Sequence, residues 1–270
     1  MALSWFVAVL LGALQGFLEW LPVSSEGVVS LVLSSLLDTD PFVAVQLSLF
    51  LHLGTAIAAT GYYRDEIRDL LGFPVEDRSD LLGVIQDPEV RFLLVGTLSS
   101  GLVGIVVFSV LESILSGLPT RAFLLGIGVL LVVTGLVQKI GSGNVAAIER
   151  RPRFLDAILV GIGQGLALLP GVSRSGTTVS ILLIREYETE QSIELSFLLA
   201  ITTSVGAAVL VVLETGHIPR VPGGPALGAV VASIVVGYLT IDALVRLVRR
   251  TPFWLVCLVF GGLVILTGLL

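Results

Sequence analysis

The chain has 270 residues, of which 55% are apolar and only 13% charged, with a mean hydropathy of +1.02 and a net charge of −6. A water-soluble domain of this length cannot hide so much apolar surface, because much of a soluble protein's surface must be polar. The composition therefore excludes a soluble globular protein and a basic nucleic-acid-binding protein, and it predicts a protein embedded in lipid. The single cysteine, Cys257, excludes an internal disulfide and a thiolate metal cluster.

The first predicted element, residues 3–37, is apolar but is interrupted by the sequence LPVSSEG at 21–27. Because proline removes a helix hydrogen bond and glycine permits non-helical backbone, we expect two short helices joined by a loop. At membrane depth such a loop is tolerated only where protein or a wet cavity surrounds it, which predicts a re-entrant helical hairpin. Three apolar runs of spanning length follow, at 42–62, 92–111 and 122–137.

The same order recurs in the second half of the chain. Residues 154–184 are apolar around LPGVSRSG at 169–176, and spanning runs follow at 195–213, 226–245 and 253–270. The two interrupted stretches share residues at one constant offset: Gly12, Gln15, Gly16, Val23, Ser24 and Gly27 match Gly161, Gln164, Gly165, Val172, Ser173 and Gly176. We therefore expect one all-α membrane domain over 1–270, built from a first repeat at 1–140 and a second at 150–270.

The number of crossings sets the orientation of the two repeats. Each half is predicted to hold one re-entrant hairpin and three transmembrane helices, and three is odd, so the halves form an inverted-topology repeat. Most basic residues then fall on one side, in the segments 63–91, 138–153, 185–194 and 246–251. The opposite side carries Arg121 and Arg220. The positive-inside rule therefore predicts a multi-pass plasma-membrane protein whose arginine-rich side faces the cytoplasm.

One cation, Arg174, falls inside the second hairpin, although an arginine at membrane depth is costly unless it is paired or hydrated. Ser173, Ser175 and Thr178 place hydroxyl groups around it. A half-helix that begins at Thr177 would also point the positive end of its dipole at the loop. This combination favours phosphate binding, and a structural ion pair with a buried carboxylate is the alternative.

The first hairpin supplies the acidic groups. Gln15 and Glu19 are four residues apart and share a helix face, and Glu26 lies in the loop. A lone carboxylate such as Glu19 in an apolar helix needs a partner, a proton or a metal ion. Arg174 is one candidate partner, and a Mg²⁺ or Ca²⁺ ion held by Gln15 and Glu19 is another. The two alternatives are compatible.

The sequence leaves the roles of three further polar residues open. The hydroxyls of Ser24 and Ser25 suit attack on phosphorus, contact with a ligand or helix capping. His52 lies in an apolar helix, where a buried, hydrogen-bonded structural histidine is expected and proton transfer is the alternative.

Two motifs resemble those of a known family. QGFLEWLPVSS at 15–25 and PGVSRSGTT at 170–178 are similar to the signature motifs of the undecaprenyl-diphosphate phosphatase family, also called bacitracin-resistance proteins. The resemblance extends over essentially the whole chain. It implies removal of the terminal phosphate from a polyprenyl diphosphate, which recycles a glycan carrier lipid. It also implies an interdigitated inverted repeat, a site open to the outer face and dependence on a divalent cation.

The motif also departs from the family pattern. Many bacterial members have a histidine three residues after the second serine, where this chain has Val28, and Glu26 replaces a common threonine. A mechanism that needs that histidine cannot hold here, and Glu26 and His52 are the candidate substitutes. The departures point to an archaeal member with a dolichol-type carrier.

These observations give a set of predicted site residues. The predicted catalytic residues are Glu19, Ser25 and Arg174, the predicted metal ligands are Gln15 and Glu19, and the predicted substrate contacts are Ser24, Glu26, Ser173, Ser175 and Thr178. The rival hypothesis is a polyprenyl-phosphate flippase or anion transporter, because inverted repeats and broken helices are typical of transporters. A homodimer is left open.

Overall fold

The computed structural model describes residues 4–71, 85–142, 149–216, 223–248 and 250–269, and within these ranges the regular structure is helical. Arg220 lies outside the described residues. The helices are α1 (Trp5–Leu18), α2 (Ser25–Leu36), α3 (Pro41–Tyr62), α4 (Arg64–Leu70), α5 (Pro88–Leu115), α6 (Thr120–Gly141), α7 (Phe154–Leu166), α8 (Arg174–Ile184), α9 (Thr189–Thr215), α10 (Gly223–Val248) and α11 (Phe253–Leu269).

Five of these helices, α3, α5, α6, α9 and α10, are long and apolar enough to cross a bilayer. At 1.5 Å per residue, a helix of the length of α3 or α5 extends about 33–42 Å, against a hydrocarbon core of about 30 Å. They match five of the six predicted spans, which confirms an all-helical, multi-pass membrane protein. The sixth run forms α11, whose 17 residues extend only about 26 Å.

All five spanning helices begin before their predicted runs, and in α3 and α5 a capping aspartate sets the helix start. Asp40 Oδ1 accepts a hydrogen bond from Phe42 N at 2.9 Å, and Asp87 Oδ1 accepts one from Glu89 N at 2.8 Å. Proline follows each aspartate as the first helical residue, where its missing N–H is not needed. The apolar pattern therefore predicts the length of helix that faces lipid, but it does not predict the polar first turn of each helix.

Both interrupted stretches form pairs of short helices, as predicted. The first loop (residues 19–24) joins α1 to α2, and the second loop (residues 167–173) joins α7 to α8. Every residue of the first loop is buried. The irregular backbone is thus enclosed by protein, which is the condition under which broken helices are stable in a bilayer.

The first helix of each hairpin packs against the opposite half of the chain. α1 lies along α10, and α7 lies along α5. Each contact is close at a glycine, since a Cβ on Gly12 would overlap the carbonyl oxygen of Ala229 and a Cβ on Gly161 would overlap that of Gly96. Gly12 and Gly161 occupy matching positions in the predicted repeat. The two contacts are therefore reciprocal, and they bring both loops to the centre of the molecule.

We expect Gly161→Ala to lower the thermal stability of the protein. Its Cβ would lie 2.6 Å from Gly96 O, and a backbone atom cannot rotate away. Overpacking of this kind costs about 1–3 kcal/mol. Gly126→Ala is the matched control, because among the described residues no atom outside its own helix backbone and chain neighbours lies within 4 Å of that Cβ. Thermal unfolding of both variants in one detergent checks the prediction, and equal melting temperatures would contradict it.

Candidate active site

The two loops are joined at Ser24. Its Oγ accepts one hydrogen bond from Gly27 N at 3.2 Å and another from Gly171 N, in the second loop, at 3.1 Å. Ser24 adopts a left-handed backbone conformation with φ of 60°, and Gly171 has φ of +105°. Such conformations are maintained only where the surroundings hold them, so the loop junction is a tightly determined part of the structure. The predicted substrate contact of Ser24 stays a prediction.

Helix α6 holds both loops from one side, a feature that the sequence analysis missed. Gln138 Nε2 donates to Pro22 O in the first loop at 2.7 Å. One turn earlier, Thr134 Oγ1 donates to Gly171 O at 3.2 Å and accepts from Ser173 N at 3.3 Å. These contacts satisfy backbone groups that the broken helices leave without intrahelical partners.

Glu19 lies at the centre of the site. Its carboxylate is buried, and Oε1 accepts a hydrogen bond from Arg174 Nη2 at 2.6 Å. Oε2 accepts hydrogen bonds from Ser25 Oγ at 2.6 Å and Gln15 Nε2 at 2.7 Å. The two hairpins thus bring the predicted catalytic residues Glu19, Ser25 and Arg174 together, and we call this cluster the Glu19 centre.

His52, in α3, also contacts the Glu19 centre. Its Nε2 lies 3.3 Å from Glu19 Oε2, and its Nδ1 lies 2.8 Å from the backbone oxygen of Ser48. The Ser48 contact fixes the ring so that Nε2 faces the carboxylate. The expected buried, hydrogen-bonded histidine is confirmed, and it lies at the site, where the sequence had named it only as one of two candidate substitutes for the family histidine. The signal was its place in the middle of an apolar spanning helix, where ionisable residues are rare and commonly functional.

The open side of the Glu19 centre carries polar atoms without partners in the described part of the chain. These atoms are Nε and Nη1 of Arg174 and Oε1 of Glu26, and all three are buried. A buried carboxylate oxygen without a partner is costly unless it takes up a proton or a cation. The free guanidinium N–H groups are suited to phosphate oxygens, because they present several donors in one plane.

These groups face a cavity of about 280 Å³. Glu26, His52 and Arg174 form its polar end, and residues of α5 and α9 such as Ile105, Leu210 and Leu213 line its apolar walls. A smaller pocket of about 20 Å³ lies directly over Glu19, Ser24 and Ser25. The cavity is therefore amphipathic, with charge at one end and apolar surface along its length.

The hydroxyl groups of the second hairpin are used mainly to start α8. Ser173 Oγ accepts from Gly176 N at 3.1 Å, so the helix begins at Arg174 and not at the predicted Thr177. Ser175 Oγ donates to Leu21 O at 3.4 Å, across to the first loop.

The Thr178 hydroxyl bonds within α8 and to α9. Thr178 Oγ1 donates to Arg174 O at 2.9 Å and lies 2.6 Å from Ser196 Oγ. The predicted substrate contacts of Ser173, Ser175 and Thr178 stay predictions.

Comparison with known proteins places the chain in a family. The family described as "Bacitracin resistance protein BacA" matches residues 8–264. The chain belongs to this BacA family. The match spans both hairpins and every residue of the Glu19 centre, so the resemblance drawn from the two motifs is confirmed.

Relatives of the BacA family match nearly the full length of the chain. The "Undecaprenyl-diphosphatase" of Haloarcula marismortui is 48% identical over 264 residues, which cover 98% of this chain and 97% of the relative. A protein of the same name from Methanococcoides burtonii is 35% identical, and the match covers 98% of this chain and 98% of the relative. Another from Saccharolobus solfataricus is 34% identical, and the match covers 98% of this chain and 95% of the relative. These relatives include archaeal proteins.

The resemblance to this family implies a divalent cation, and the donor atoms near the Glu19 centre fit one. Glu19 and Glu26 line the same small pocket, and in the described part of the chain Gln15 Oε1 and Glu26 Oε1 are buried without a partner. Oxygen donors of this kind suit Mg²⁺ or Ca²⁺. Among the described residues, no three His, Cys, Asp or Glu side chains form a ready-made metal site. A cation here would therefore need ligands from elsewhere, such as phosphate oxygens.

We expect Glu19→Gln and Arg174→Gln to be strongly coupled in their effect on stability. Each single change leaves the other charge buried without its partner, at a cost of about 3–5 kcal/mol. The double variant removes both charges, so its loss of unfolding free energy should be smaller than the sum of the single losses by about 1–3 kcal/mol. Thermal and denaturant unfolding of the four proteins measures this coupling. Strictly additive losses would contradict the ion pair.

Proposed function

We propose that this chain hydrolyses an undecaprenyl-type polyprenyl diphosphate to the monophosphate and phosphate, and so recycles a glycan carrier lipid. The observation that carries the proposal is the Glu19 centre, where Arg174 and Ser25 from different hairpins share one carboxylate. Its BacA-family relatives are named undecaprenyl-diphosphatase. The adjoining cavity has a charged end and apolar walls, which match the two parts of such a substrate.

The proposed substrate lies with its diphosphate against Arg174 and its prenyl chain along the apolar wall of the cavity. The free Nε and Nη1 donors of Arg174 support this orientation, as does the apolar surface of Leu210 and Leu213. Bidentate contacts between a guanidinium group and phosphate are short and strong. Ser24, Ser173, Ser175 and Thr178 are kept as proposed contacts of the phosphate oxygens, made directly or through the loop backbone that they position.

The proposed nucleophile is Ser25, whose Oγ donates to Glu19 Oε2. Glu19 takes the hydroxyl proton as a bond forms between Ser25 Oγ and the terminal phosphorus. The phosphoanhydride bond breaks, and its electron pair leaves on the polyprenyl monophosphate. Water then hydrolyses the phosphoserine, which restores Ser25 and releases phosphate. Direct attack by a water molecule activated by a glutamate is the alternative route.

Arg174 links substrate binding to this proton transfer. Without substrate its Nη2 is bonded to Glu19, which occupies part of the carboxylate. Phosphate oxygens compete for the same guanidinium group, so binding of the substrate would free Glu19 to accept the Ser25 proton. The guanidinium charge would then offset the negative charge that spreads over the phosphoryl oxygens in the transition state.

His52 is proposed as a positioning residue that takes the place of the family histidine missing at Val28. Its contact with Glu19 Oε2 lies on the same oxygen that receives the Ser25 hydrogen bond. It would hold the carboxylate in place and share the proton that Glu19 gains. Glu26 is proposed to face the substrate from the same polar end of the cavity.

A divalent cation, Mg²⁺ or Ca²⁺, is proposed as the cofactor. Glu19 and Gln15 would hold it, with Glu26 as a further oxygen ligand from the same pocket. When bound, the ion would neutralise phosphate charge and hold the diphosphate in line with the nucleophile. The residues of the chain would still position Ser25 and accept its proton.

We propose that the site opens to the outer face of the plasma membrane. α9 begins at Thr189, within the arginine-containing segment 185–194, and ends at Thr215. The apolar wall of the cavity uses the later residues of α9, up to Leu213. If the arginine-rich side is cytoplasmic, this wall lies toward the outside.

The proposed architecture is an inverted repeat of residues 1–140 and 150–270. The reciprocal contacts of α1 with α10 and of α7 with α5 support it, since each pairs the first hairpin helix of one half with the same spanning helix of the other. The glycines at matching positions, Gly12 and Gly161, make those contacts possible.

A polyprenyl-phosphate flippase is the second candidate function. A further cavity of about 280 Å³, lined by Trp20, Pro22, Ser175 and Trp254, lies against the same loops as the site. In alternating access, one central site is reached in turn from either side of the membrane. Two cavities that reach one loop junction from different directions fit this requirement. Transfer of labelled polyprenyl phosphate across liposomes would be the assay, and a flippase alone would release no phosphate from a diphosphate.

We expect Ser25→Ala and Arg174→Ala each to lower kcat for phosphate release from a polyprenyl diphosphate by about a hundredfold or more, because each removes a group that acts on the reacting phosphorus. Ser34→Ala, on the same helix as Ser25, is the matched control, since Ser34 lies outside the Glu19 centre. Release of inorganic phosphate by purified protein in liposomes is the measurement. If the wild-type protein releases no phosphate with Mg²⁺ or Ca²⁺ present, the proposed phosphatase activity is refuted. A loss of less than tenfold in Ser25→Ala would favour attack by water.

We also expect EDTA to abolish phosphate release, and added Mg²⁺ or Ca²⁺ to restore it, because the diphosphate charge exceeds what Arg174 alone can offset. Glu26→Gln should raise the cation concentration for half-maximal rate by about tenfold, since it removes one anionic oxygen from the pocket. Titration of each cation against the initial rate measures the change. Full activity in EDTA would exclude a cation cofactor.

A further inference from the structure

A separate cavity of about 380 Å³ lies where α5 and α7 begin. Its wall contains four arginines and two aromatic rings: Arg91, Arg150, Arg151, Arg153, Phe92 and Phe154. It shares no lining residue with the cavity beside the Glu19 centre, although both touch α5 and α7. The proposed phosphatase reaction makes no use of it.

Outside this cavity, four arginines of the described chain each contact an aspartate. Arg64 and Arg68 contact Asp65, Arg185 contacts Asp156, and Arg246 contacts Asp242. In the part of the chain that the structure describes, Arg91, Arg151 and Arg153 have no carboxylate partner.

The fourth arginine, Arg150, is only partly satisfied. It pairs with Glu186 through Nη2, and its Nε is buried without a partner among the described residues. Nearby Glu89 and Glu149 are not part of the cavity wall. In a chain with a net charge of −6, this concentration of unpaired positive charge does not arise from a shortage of acids.

The backbone adds to the positive potential. α5 starts at Pro88 and α7 at Phe154, so two helix N-termini, the positive ends of the helix dipoles, meet at the cavity. α5 is capped by Asp87, but Arg153, the N-cap of α7, makes no side-chain capping hydrogen bond. The first N–H groups of α7 therefore add to the positive charge of the arginines.

The apolar surface beside the cavity indicates what kind of molecule would present an anionic group to the arginines. Leu94 and Leu98 lie on the same face of α5 as Arg91 and are 48% and 68% exposed, and Phe154 and Leu155 at the start of α7 are 60% and 56% exposed. In a multi-pass membrane protein, exposed apolar side chains of spanning segments contact lipid chains. A charged cavity bordered by such a surface suits a ligand with an anionic head and apolar tails.

We propose that this cavity binds the phosphate-ester headgroup of an anionic membrane phospholipid. The guanidinium groups contact the phosphate oxygens, as planar forked donors do. The acyl or isoprenoid chains lie along the exposed faces of α5 and α7. Basic pockets between membrane helices on the arginine-rich side are known to bind such headgroups. The site is distinct from the proposed phosphatase site and goes beyond the proposed function.

The test compares an Arg151→Gln/Arg153→Gln double variant with Arg64→Gln/Arg68→Gln, which removes the same charge from a neighbouring cytoplasmic segment. Full-length proteins in detergent are titrated with phosphatidylglycerol or phosphatidylcholine, and bound lipid is counted by native mass spectrometry. We expect wild type and the Arg64/Arg68 variant to retain phosphatidylglycerol in preference to phosphatidylcholine. The Arg151/Arg153 variant should bind it about tenfold more weakly or worse, since each basic residue near the headgroups contributes appreciably to binding.

Three results would overturn the proposal. Equal losses in both double variants would show general surface charge, and unchanged binding in the Arg151/Arg153 variant would show that the cavity is not the site. Displacement of phosphatidylglycerol by about 10 mM inorganic phosphate would show a site for free anions and not for lipid. Size-exclusion profiles and melting temperatures in phosphatidylcholine establish that each variant is folded, and Arg91→Gln provides an independent variant from α5 if the double variant is not.

Discussion

The ion pair between Glu19 and Arg174 is the interaction on which the rest of the structure depends. Either charge alone would be costly inside a bilayer, and each makes the other tolerable. Because the two residues belong to different hairpins, satisfying the charges forces the two broken helices to meet. The contacts of Ser24 with Gly171 and of Gln138 with Pro22 then fix the loops at the junction. The pairing of the two buried charges and the packing of the two loops therefore depend on each other.

The same constraint prepares the site for chemistry. Arg174 bonds to Glu19 through Nη2, and its Nε and Nη1 are buried without a partner among the described residues. Ser25, Gln15 and His52 surround the second oxygen of Glu19. Donors that are already fixed in a dry environment need little rearrangement when a phosphoryl group arrives, and their fields are stronger than in water. In the proposed reaction, Arg174 pairs with Glu19 before the substrate binds and contacts phosphate oxygens afterwards.

Much of this arrangement could be predicted from the sequence, because charged residues in apolar runs are informative. Glu19 and Arg174 stood out as lone charges, and the proline and glycine residues around them predicted the loops. His52 could be named only as one of two candidate substitutes for the missing family histidine, because α3 is largely enclosed by protein and its sequence does not show which neighbouring helix each face meets. A phosphate contact of Thr178 was predicted from its place in the motif. In the structure, its hydroxyl lies within hydrogen-bond distance of the Ser196 hydroxyl. Helix starts at Asp40 and Asp87 were missed because hydropathy does not report capping.

The exchange of hairpin helices between the halves has a consequence for biosynthesis. Trp20, in the first loop, donates its indole N–H to Gly237 O across a separation of 217 positions, and α1 has no complete partner until α10 exists. A ribosome makes about 5–20 residues each second, so the first hairpin waits on the order of ten seconds or more in the translocon or bilayer with its charged loop uncovered. Neither half can mature as an independent unit, and assembly is concluded only when the late helices arrive.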